Sequence, residues 1–422
     1  MQVTSQQALA PARQRARAGG VLPLLLFAAA VLGLLTVRQY GESWDELQFF
    51  KYADRALQAY STWPSSGSVP LTGNTYDNYG PAYVMLAALG ARLLGLVLPW
   101  LTSDLRHLLY FLTYLAGLWA FHAIARRWLA EGAAFGATLL FATQPLFWGH
   151  AFISPKDIPF LAFFLLSLEA GFRMVGARAD EAAGPRAGRL RWLSAGWFGL
   201  LLLAYAGTPL VQAAITGLVE AAAAGQANVV TLVASHVTAQ NAAVYARHYF
   251  VYFLWLRASF FALSAAGLLW AWRRVPGALR LLLSILPAAV LLGVTTSIRV
   301  LGPFAGLIVA GFALWKRGRR ALVPLGLYAG LALIAMYLTW PYLWPDPLGR
   351  LVESVRVMSA YPWKGQVLFA GGWYASTDLP RAYLPVLLGI QLTEPVWVLF
   401  AAGLAVAVYE AIRGKAGSRA LL

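Results

Sequence analysis

Long apolar runs recur along this chain of 422 residues and constrain its fold more than any other feature. Runs of about 17 to 25 residues have the length that a helix needs to cross the hydrocarbon core of a bilayer. Apolar residues make up 60% of the chain and charged residues only 12%. The runs lack the alternation of a barrel strand, and a backbone in lipid must satisfy its hydrogen bonds internally. The sequence therefore predicts an all-α polytopic membrane protein, a single integral membrane domain over 1–422.

About ten segments are predicted to be transmembrane helices. They are 20–37, 106–125, 132–149, 158–175, 193–218, 249–272, 280–298, 300–315, 321–340 and 384–410. The first follows Arg13, Arg15 and Arg17, as in a secretory signal peptide. Its small residues lie in the middle of the apolar run, which favours an uncleaved span instead.

Segment 79–101 decides the topology, because it is long enough to span but is broken by glycine and proline. If it lies on the outer interface, 20 of the 33 Lys and Arg fall on one face, which the positive-inside rule makes cytoplasmic. We therefore expect both termini to be cytoplasmic in a multi-pass protein of the plasma membrane. The net charge of +16 reflects these clusters and does not indicate nucleic acid binding.

Two external segments stand out under this topology. The first is the loop 39–105, in which three- and four-residue apolar spacing predicts a surface helix over 43–60, and Tyr79-Gly80-Pro81 opens a second interfacial helix. The second is 341–383, which is rich in Trp and Tyr. It fits either an interfacial aromatic belt or a platform for sugar rings or an acceptor.

Two carboxylates are the candidate catalytic groups, Asp45 and Asp157, each in a short external turn. Ser43 to Glu46 and Ser154 to Asp157 both fit a capping box, which is a purely structural alternative. A cap explains Glu46 but leaves Asp45 without a necessary structural partner. The predicted topology brings both Asp45 and Asp157 to one membrane face.

Three stretches together resemble the membrane glycosyltransferases of the GT-C superfamily, specifically the family 39 or protein O-mannosyltransferase-like group. They are Trp44-Asp45-Glu46, the surface helix from Tyr79-Gly80-Pro81-Ala82-Tyr83 to Leu94-Gly95, and Pro155-Lys156-Asp157-Ile158-Pro159. The resemblance covers roughly the first 200 residues in order and spacing, and the rest by hydropathy. The chain lacks the inserted soluble domain of the protein O-mannosyltransferases, which disfavours a protein acceptor.

The resemblance implies an inverting transfer of a sugar from a polyprenyl-phosphate donor to a lipid, glycan or protein acceptor on the external face. It implies that Asp45 is the general base or orienter of the acceptor hydroxyl, and that Asp157 shapes the acceptor or donor pocket. Glu46, Tyr79 and Tyr83 are then expected to contact substrate. A carboxylate within hydrogen-bond reach of a hydroxyl can take its proton as the new bond forms, with no covalent intermediate.

The phosphate leaving group needs cationic partners near the headgroup plane, and topology suggests Lys156 and Arg299. Lys156 is equally compatible with a solvated loop, and Arg299 with snorkelling to the interface. The five His are scattered and Cys is absent, so we expect neither a metal nor a cofactor.

The main competing hypothesis is a transporter or lipid flippase without sugar transfer. It predicts ionisable residues at the bilayer midplane and broken helices in paired positions. A non-catalytic subunit of a membrane assembly is a third possibility. Membrane lipids are partners in every case.

Overall fold

The computed structural model describes residues 21–176, 185–234, 236–361 and 363–412, and its regular structure is almost entirely helical. The helices are α1 (Val21–Thr36), α2 (Glu46–Ser66), α3 (Ala82–Leu94), α4 (Thr102–Ala125), α5 (Glu131–Ala142), α6 (Pro145–Ile153), α7 (Asp157–Gly176), α8 (Pro185–Ala206), α9 (Thr208–Ala223), α10 (Val229–Val233), α11 (Ala242–Arg273), α12 (Ala278–Thr296), α13 (Pro303–Arg317), α14 (Leu322–Thr339), α15 (Pro347–Ser359), α16 (Tyr383–Gln391) and α17 (Glu394–Ile412). One antiparallel hairpin joins β1 (Gln366–Phe369) to β2 (Gly372–Ala375). The predicted all-α membrane class is confirmed.

Among the described residues, five helical stretches are long and apolar enough to cross a bilayer, or seven if each of two bent helix pairs forms one span. The described helices therefore do not form ten unbroken spans. The predicted span 132–149 is two helices, α5 and α6, which are separated at Thr143 and Gln144. The predicted spans 193–218 and 384–410 are bent by 52° between α8 and α9 and by 108° between α16 and α17.

Polar side chains on other helices stabilise these breaks. The Gln144 side chain donates to the Thr393 hydroxyl at 2.9 Å and accepts from the Thr393 backbone N–H at 3.2 Å. In the same way, Arg257 of α11 donates to the Ala204 carbonyl at 3.1 Å and to the Thr208 hydroxyl at 2.6 Å, beside the α8–α9 bend. A buried carbonyl freed by a helix break needs such a partner, so the breaks depend on tertiary contacts.

The apolar stretch Pro303–Thr339 turns back on itself at Gly318, whose φ of 56° is readily adopted only without a side chain. In α13, Gly306 packs on Leu292 near the end of α12, while Arg317 lies near Leu281 at its start. Helix α14 then returns to the end of α12. There the Ser297 hydroxyl, which follows α12, donates to the carbonyl of Thr339 at the end of α14 at 3.0 Å. The predicted separation of 300–315 from 321–340 is thus present as two antiparallel helices.

The two helices predicted for the first external loop exist, with shifted bounds. Helix α2 starts at Glu46 rather than 43 and continues to Ser66 rather than 60. The second, α3, has 13 residues and so a length of about 20 Å, which is short of a roughly 30 Å hydrocarbon core. Its length agrees with an interfacial position better than with a span.

The ends of these elements define two faces of the bundle. One face carries the N-termini of α2, α4 and α7 and the C-termini of α6, α12 and α14, and we call it the site face. At the opposite end Glu169 pairs with Arg127 at 2.9 Å and with Arg173 at 2.6 Å, and Arg126 pairs with Glu131 at 2.5 Å. These ion pairs give Glu169 a structural role far from the site face.

Some residues used to predict the topology lie outside the described residues. They are Arg13, Arg15, Arg17, Arg178, Arg413, Lys415 and Arg419.

Candidate functional site

The N-terminus of α2 is anchored by Glu46, which is fully buried. One carboxylate oxygen accepts from the Ser43 backbone N–H at 2.6 Å, and the other lies 3.0 Å from Nε2 of the equally buried His107 in α4. The predicted cap is therefore half formed, because the Ser43 hydroxyl donates instead to the Ile153 carbonyl at 3.0 Å. These bonds connect α2 to α4 and to the end of α6.

Asp45, which directly precedes α2, forms an ion pair with Lys156. Lys156 Nζ lies 2.9 Å from Asp45 Oδ2, and the two side chains are only 16% and 21% exposed. The ammonium also faces two aromatic rings, with 4.9 Å to the Phe49 centroid and 5.0 Å to the Tyr79 centroid. Such cation–π contacts add to the stability of the ion pair where water is partly excluded.

Asp157 forms a second ion pair, with Arg299 in the turn between α12 and α13. The Ser154 hydroxyl caps α7 by accepting from the Asp157 N–H at 3.1 Å, so the predicted cap is present here as well. The Ser154 hydroxyl also donates to Asp157 Oδ2 at 3.2 Å, and the other carboxylate oxygen, Oδ1, faces Arg299. The Asp157 side chain is half exposed and remains accessible to a ligand.

Tyr79 lies between the two ion pairs. Its ring is 5.0 Å from Lys156 Nζ and 5.8 Å from the Arg299 guanidinium carbon. The Tyr52 hydroxyl donates to the Tyr79 carbonyl at 2.5 Å and fixes the backbone there. On the other side, Gly80 packs directly on the Ser297 carbonyl, to which the Ala82 N–H donates at 3.1 Å. Tyr79 and Arg299 are therefore positioned by one contact between segment 39–105 and the end of α12.

A third aromatic side chain reaches the site from segment 341–383, which is rich in Trp and Tyr. The Tyr361 ring lies 6.2 Å from the Tyr79 ring, and the two side chains share a hydrogen bond. Burial raises the pKa of Tyr79, and the Arg299 charge and the Tyr361 hydrogen bond partly offset this increase. Burial also raises the pKa of Tyr361, so both phenols are neutral hydrogen-bonding groups near pH 7.

Five of the seven predicted site residues come together around this centre, namely Asp45, Tyr79, Lys156, Asp157 and Arg299. Glu46 is buried beneath it, and its bonds to Ser43 and His107 leave no free edge for substrate. Tyr83 is also buried, with its hydroxyl 2.8 Å from the Thr113 hydroxyl. Direct substrate contact by Glu46 and Tyr83 does not fit these positions, because both side chains pack inside the protein.

The sequence interpretation missed His107 and Phe49, and it included Tyr361 only as one of the aromatic residues of segment 341–383. His107 holds Glu46, Phe49 faces Lys156, and Tyr361 covers Tyr79. The spacing along α2 places Phe49 one turn after Asp45, so Phe49 had a sequence signal. His107 is distant in sequence and had none beyond its residue type, whereas Tyr361 had the aromatic composition of its segment.

Within the described part of the chain, no group of three or more His, Cys, Asp or Glu side chains is placed to hold a metal ion. Comparisons with models of protein families, with curated proteins and with solved structures found no match to this chain. Function must therefore be argued from the chemistry of the site face.

Proposed function

We propose that this protein is a membrane glycosyltransferase that moves a sugar from a polyprenyl-phosphate donor to an acceptor hydroxyl. One observation carries the proposal. Two carboxylate–cation pairs, Asp45–Lys156 and Asp157–Arg299, meet around Tyr79 at one end of an apolar helical bundle. Carboxylates can activate a hydroxyl, and the cations can hold a phosphate at headgroup level.

The reaction proceeds in this proposal as a single displacement. Asp45 takes the proton of the acceptor hydroxyl while the hydroxyl oxygen forms a bond to C1 of the sugar. The bond from C1 to the phosphate oxygen breaks, and its electron pair remains on the polyprenyl phosphate. Attack from the side opposite the phosphate inverts the anomeric centre.

The other site residues bind and orient the substrates. Lys156 and Arg299 stabilise the negative charge that develops on the leaving phosphate, so the proposed reaction needs no metal ion. Asp157 shapes the pocket and orients Arg299 through their ion pair. The faces of Tyr79 and Tyr361 provide apolar surface and neutral hydroxyl groups against which a sugar ring can pack.

The proposal includes a topology of about ten spans with both termini in the cytoplasm of a plasma-membrane protein and the site face outside. The basic pairs of the opposite face, such as Arg126 and Arg127, agree with the positive-inside rule in this orientation. Contact between a lipid-linked donor and an external acceptor requires a site at headgroup level, and in the proposed orientation the site face and the start of the short helix α3 lie at that level.

Two observations favour the transporter or flippase alternative, namely the two bent helix pairs, α8–α9 and α16–α17, and the buried Arg257 beside the first of them. No carboxylate pairs with Arg257 in the described structure, which is unusual for a cation within a span. Its hydrogen bonds to Ala204 and Thr208 across the helix bend account for it structurally. We therefore favour the transferase.

The test is a sugar-transfer assay in proteoliposomes with polyprenyl-phosphate sugars, together with mass spectrometry of envelope glycans and lipid-linked sugars from cells with and without the protein. The proposal predicts that one donor is consumed and that one class of glycan loses a sugar when the protein is absent. Unchanged glycans and no donor consumption, with transport of a solute or lipid instead, would support the alternative.

A further inference from the structure

We propose that Lys156 exchanges partners, pairing with Asp45 before the donor binds and with the donor phosphate afterwards, so that Asp45 becomes a free base only when the donor is present. This inference rests on the proposed function and adds an order of binding to it. The donor binds first, and the acceptor hydroxyl is activated second.

The ion pair itself is the first argument. With Lys156 Nζ at 2.9 Å, a proton of the ammonium already occupies Asp45 Oδ2. A general base must offer that oxygen to the hydroxyl whose proton it takes. In the described structure Asp45 Oδ2 is therefore bonded to the Lys156 ammonium and is not free to accept the proton of a hydroxyl.

The surroundings of the ammonium are the second argument. The rings of Phe49 and Tyr79 lie at 4.9 Å and 5.0 Å, and their attraction for a cation does not depend on Asp45. An ammonium on a flexible four-carbon chain can turn between two anions while it keeps contact with these rings. Lys156 can thus change partner without leaving the site.

The charge of the site is the third argument. Asp45, Asp157, Lys156 and Arg299 sum to zero, so an incoming phosphodiester brings an unpaired negative charge. Since Lys156 and Asp45 are mostly buried, the phosphate and the carboxylate compete for the ammonium with little screening. The adjacent Arg299 adds a second positive charge that draws the phosphate to this position.

Binding of a polyprenyl monophosphate, without sugar or acceptor, tests the exchange in protein reconstituted in nanodiscs. We expect Lys156→Met to weaken binding roughly tenfold and Asp45→Asn to tighten it several-fold, because the competing carboxylate is gone. The gain in affinity from Asp45→Asn should vanish when it is combined with Lys156→Met, because this double variant has no ammonium for the carboxylate to release. Asp54→Asn is the matched control on the same helix, and it should bind as the wild type does.

The outcomes separate this inference from the proposed function. If Lys156→Met weakens binding but Asp45→Asn does not tighten it, the phosphate site stands and the exchange is wrong. An equal gain from Asp45→Asn with and without Lys156 would reflect general repulsion and also overturn the exchange. If neither Lys156→Met nor Arg299→Met weakens binding, the phosphate site of the proposed function fails as well.

A measurement on the wild type covers the case in which a variant does not fold. Carbodiimide labelling of carboxylates, read by mass spectrometry, should modify Asp45 several-fold faster once polyprenyl monophosphate is added, while Asp54 stays constant as an internal reference. An Asp45 rate that is unchanged or lower would overturn the exchange.

Discussion

At the scale of single residues, the site depends on two neighbours in sequence that face different partners. Lys156 turns to Asp45, whereas Asp157 turns to Arg299. The capping of α7 by Ser154 fixes this turn, so both side chains are held at the start of one helix. One short turn thereby supplies a cation to one half of the site and an anion to the other.

Arg299→Met should raise the KM for the donor about tenfold, because the leaving phosphate loses one of its two cations. Steady-state kinetics of sugar transfer with varied donor would measure this. Arg92→Met is the control, because Arg92 is a well-exposed arginine whose ion pair, with Asp54 at 2.8 Å, lies outside the site. An equal effect of the two variants would contradict a specific role for Arg299.

Glu46→Ala tests whether the buried pair with His107 positions Asp45. We expect a loss of about 1.5–3 kcal/mol in unfolding free energy, because a buried charge-assisted hydrogen bond is removed, and a lower kcat with an unchanged donor KM. Thermal unfolding in detergent and transfer kinetics would measure the two effects. Glu46→Gln, which keeps a hydrogen-bond acceptor toward His107, should recover part of both. A raised donor KM with normal stability would instead indicate direct substrate contact.

At the scale of elements, the contact between Gly80 and the end of α12 aligns the two halves of the site. A Cβ atom at Gly80 would lie 2.1 Å from the Ser297 carbonyl oxygen, so the backbone must move. Since Tyr79 is adjacent to Gly80 and Arg299 follows Ser297, this movement would separate the groups around the donor.

Gly80→Ala should therefore lower transfer at least tenfold and lower the thermal unfolding temperature. Gly41→Ala is the control, because a Cβ atom at Gly41 meets no other atom within 4 Å. Activity and unfolding temperature measured side by side would decide this. Wild-type behaviour of Gly80→Ala would show that the contact does not align the site.

Hydropathy and spacing predicted the helices around the site, but they did not predict where helices break. The bends at Gly207 and Thr393 are stabilised by Arg257 and Gln144 from distant parts of the chain. A local pattern contains no information on such partners. The bounds of α2 and α3 were shifted for a similar reason, because packing decides how far a surface helix continues.

The sequence predicted only part of the candidate site, again because a local pattern does not show which distant residues meet. Short loops with a carboxylate on one face identified Asp45 and Asp157, but their pairing with Lys156 and Arg299 links positions more than a hundred residues apart. Tyr361 follows α15, which packs on segment 39–105, where the Ser354 hydroxyl donates to the Asn78 side chain at 3.1 Å. Such contacts follow from the fold as a whole.

At the scale of the whole molecule, the chain contains no cysteine. Single introduced cysteines can therefore map its topology without labelling of native cysteines. Ser68→Cys, in the first external loop, should react with a membrane-impermeant maleimide added to intact cells. Arg319→Cys, in the turn between α13 and α14, should react only after the membrane is permeabilised. Ser103→Cys is the critical position, because its labelling only after permeabilisation would show that 79–101 crosses the bilayer.

The central claim is that Asp45 is the base of a sugar transfer, and the transfer rate of Asp45→Asn tests it most directly. We predict a rate about 10²- to 10⁴-fold below that of the wild type in a protein that remains folded, because asparagine cannot accept the proton. Asp54→Asn, a change of the same type nine residues further along the chain, should transfer normally. A folded Asp45→Asn protein that transfers sugar at the wild-type rate would contradict the account.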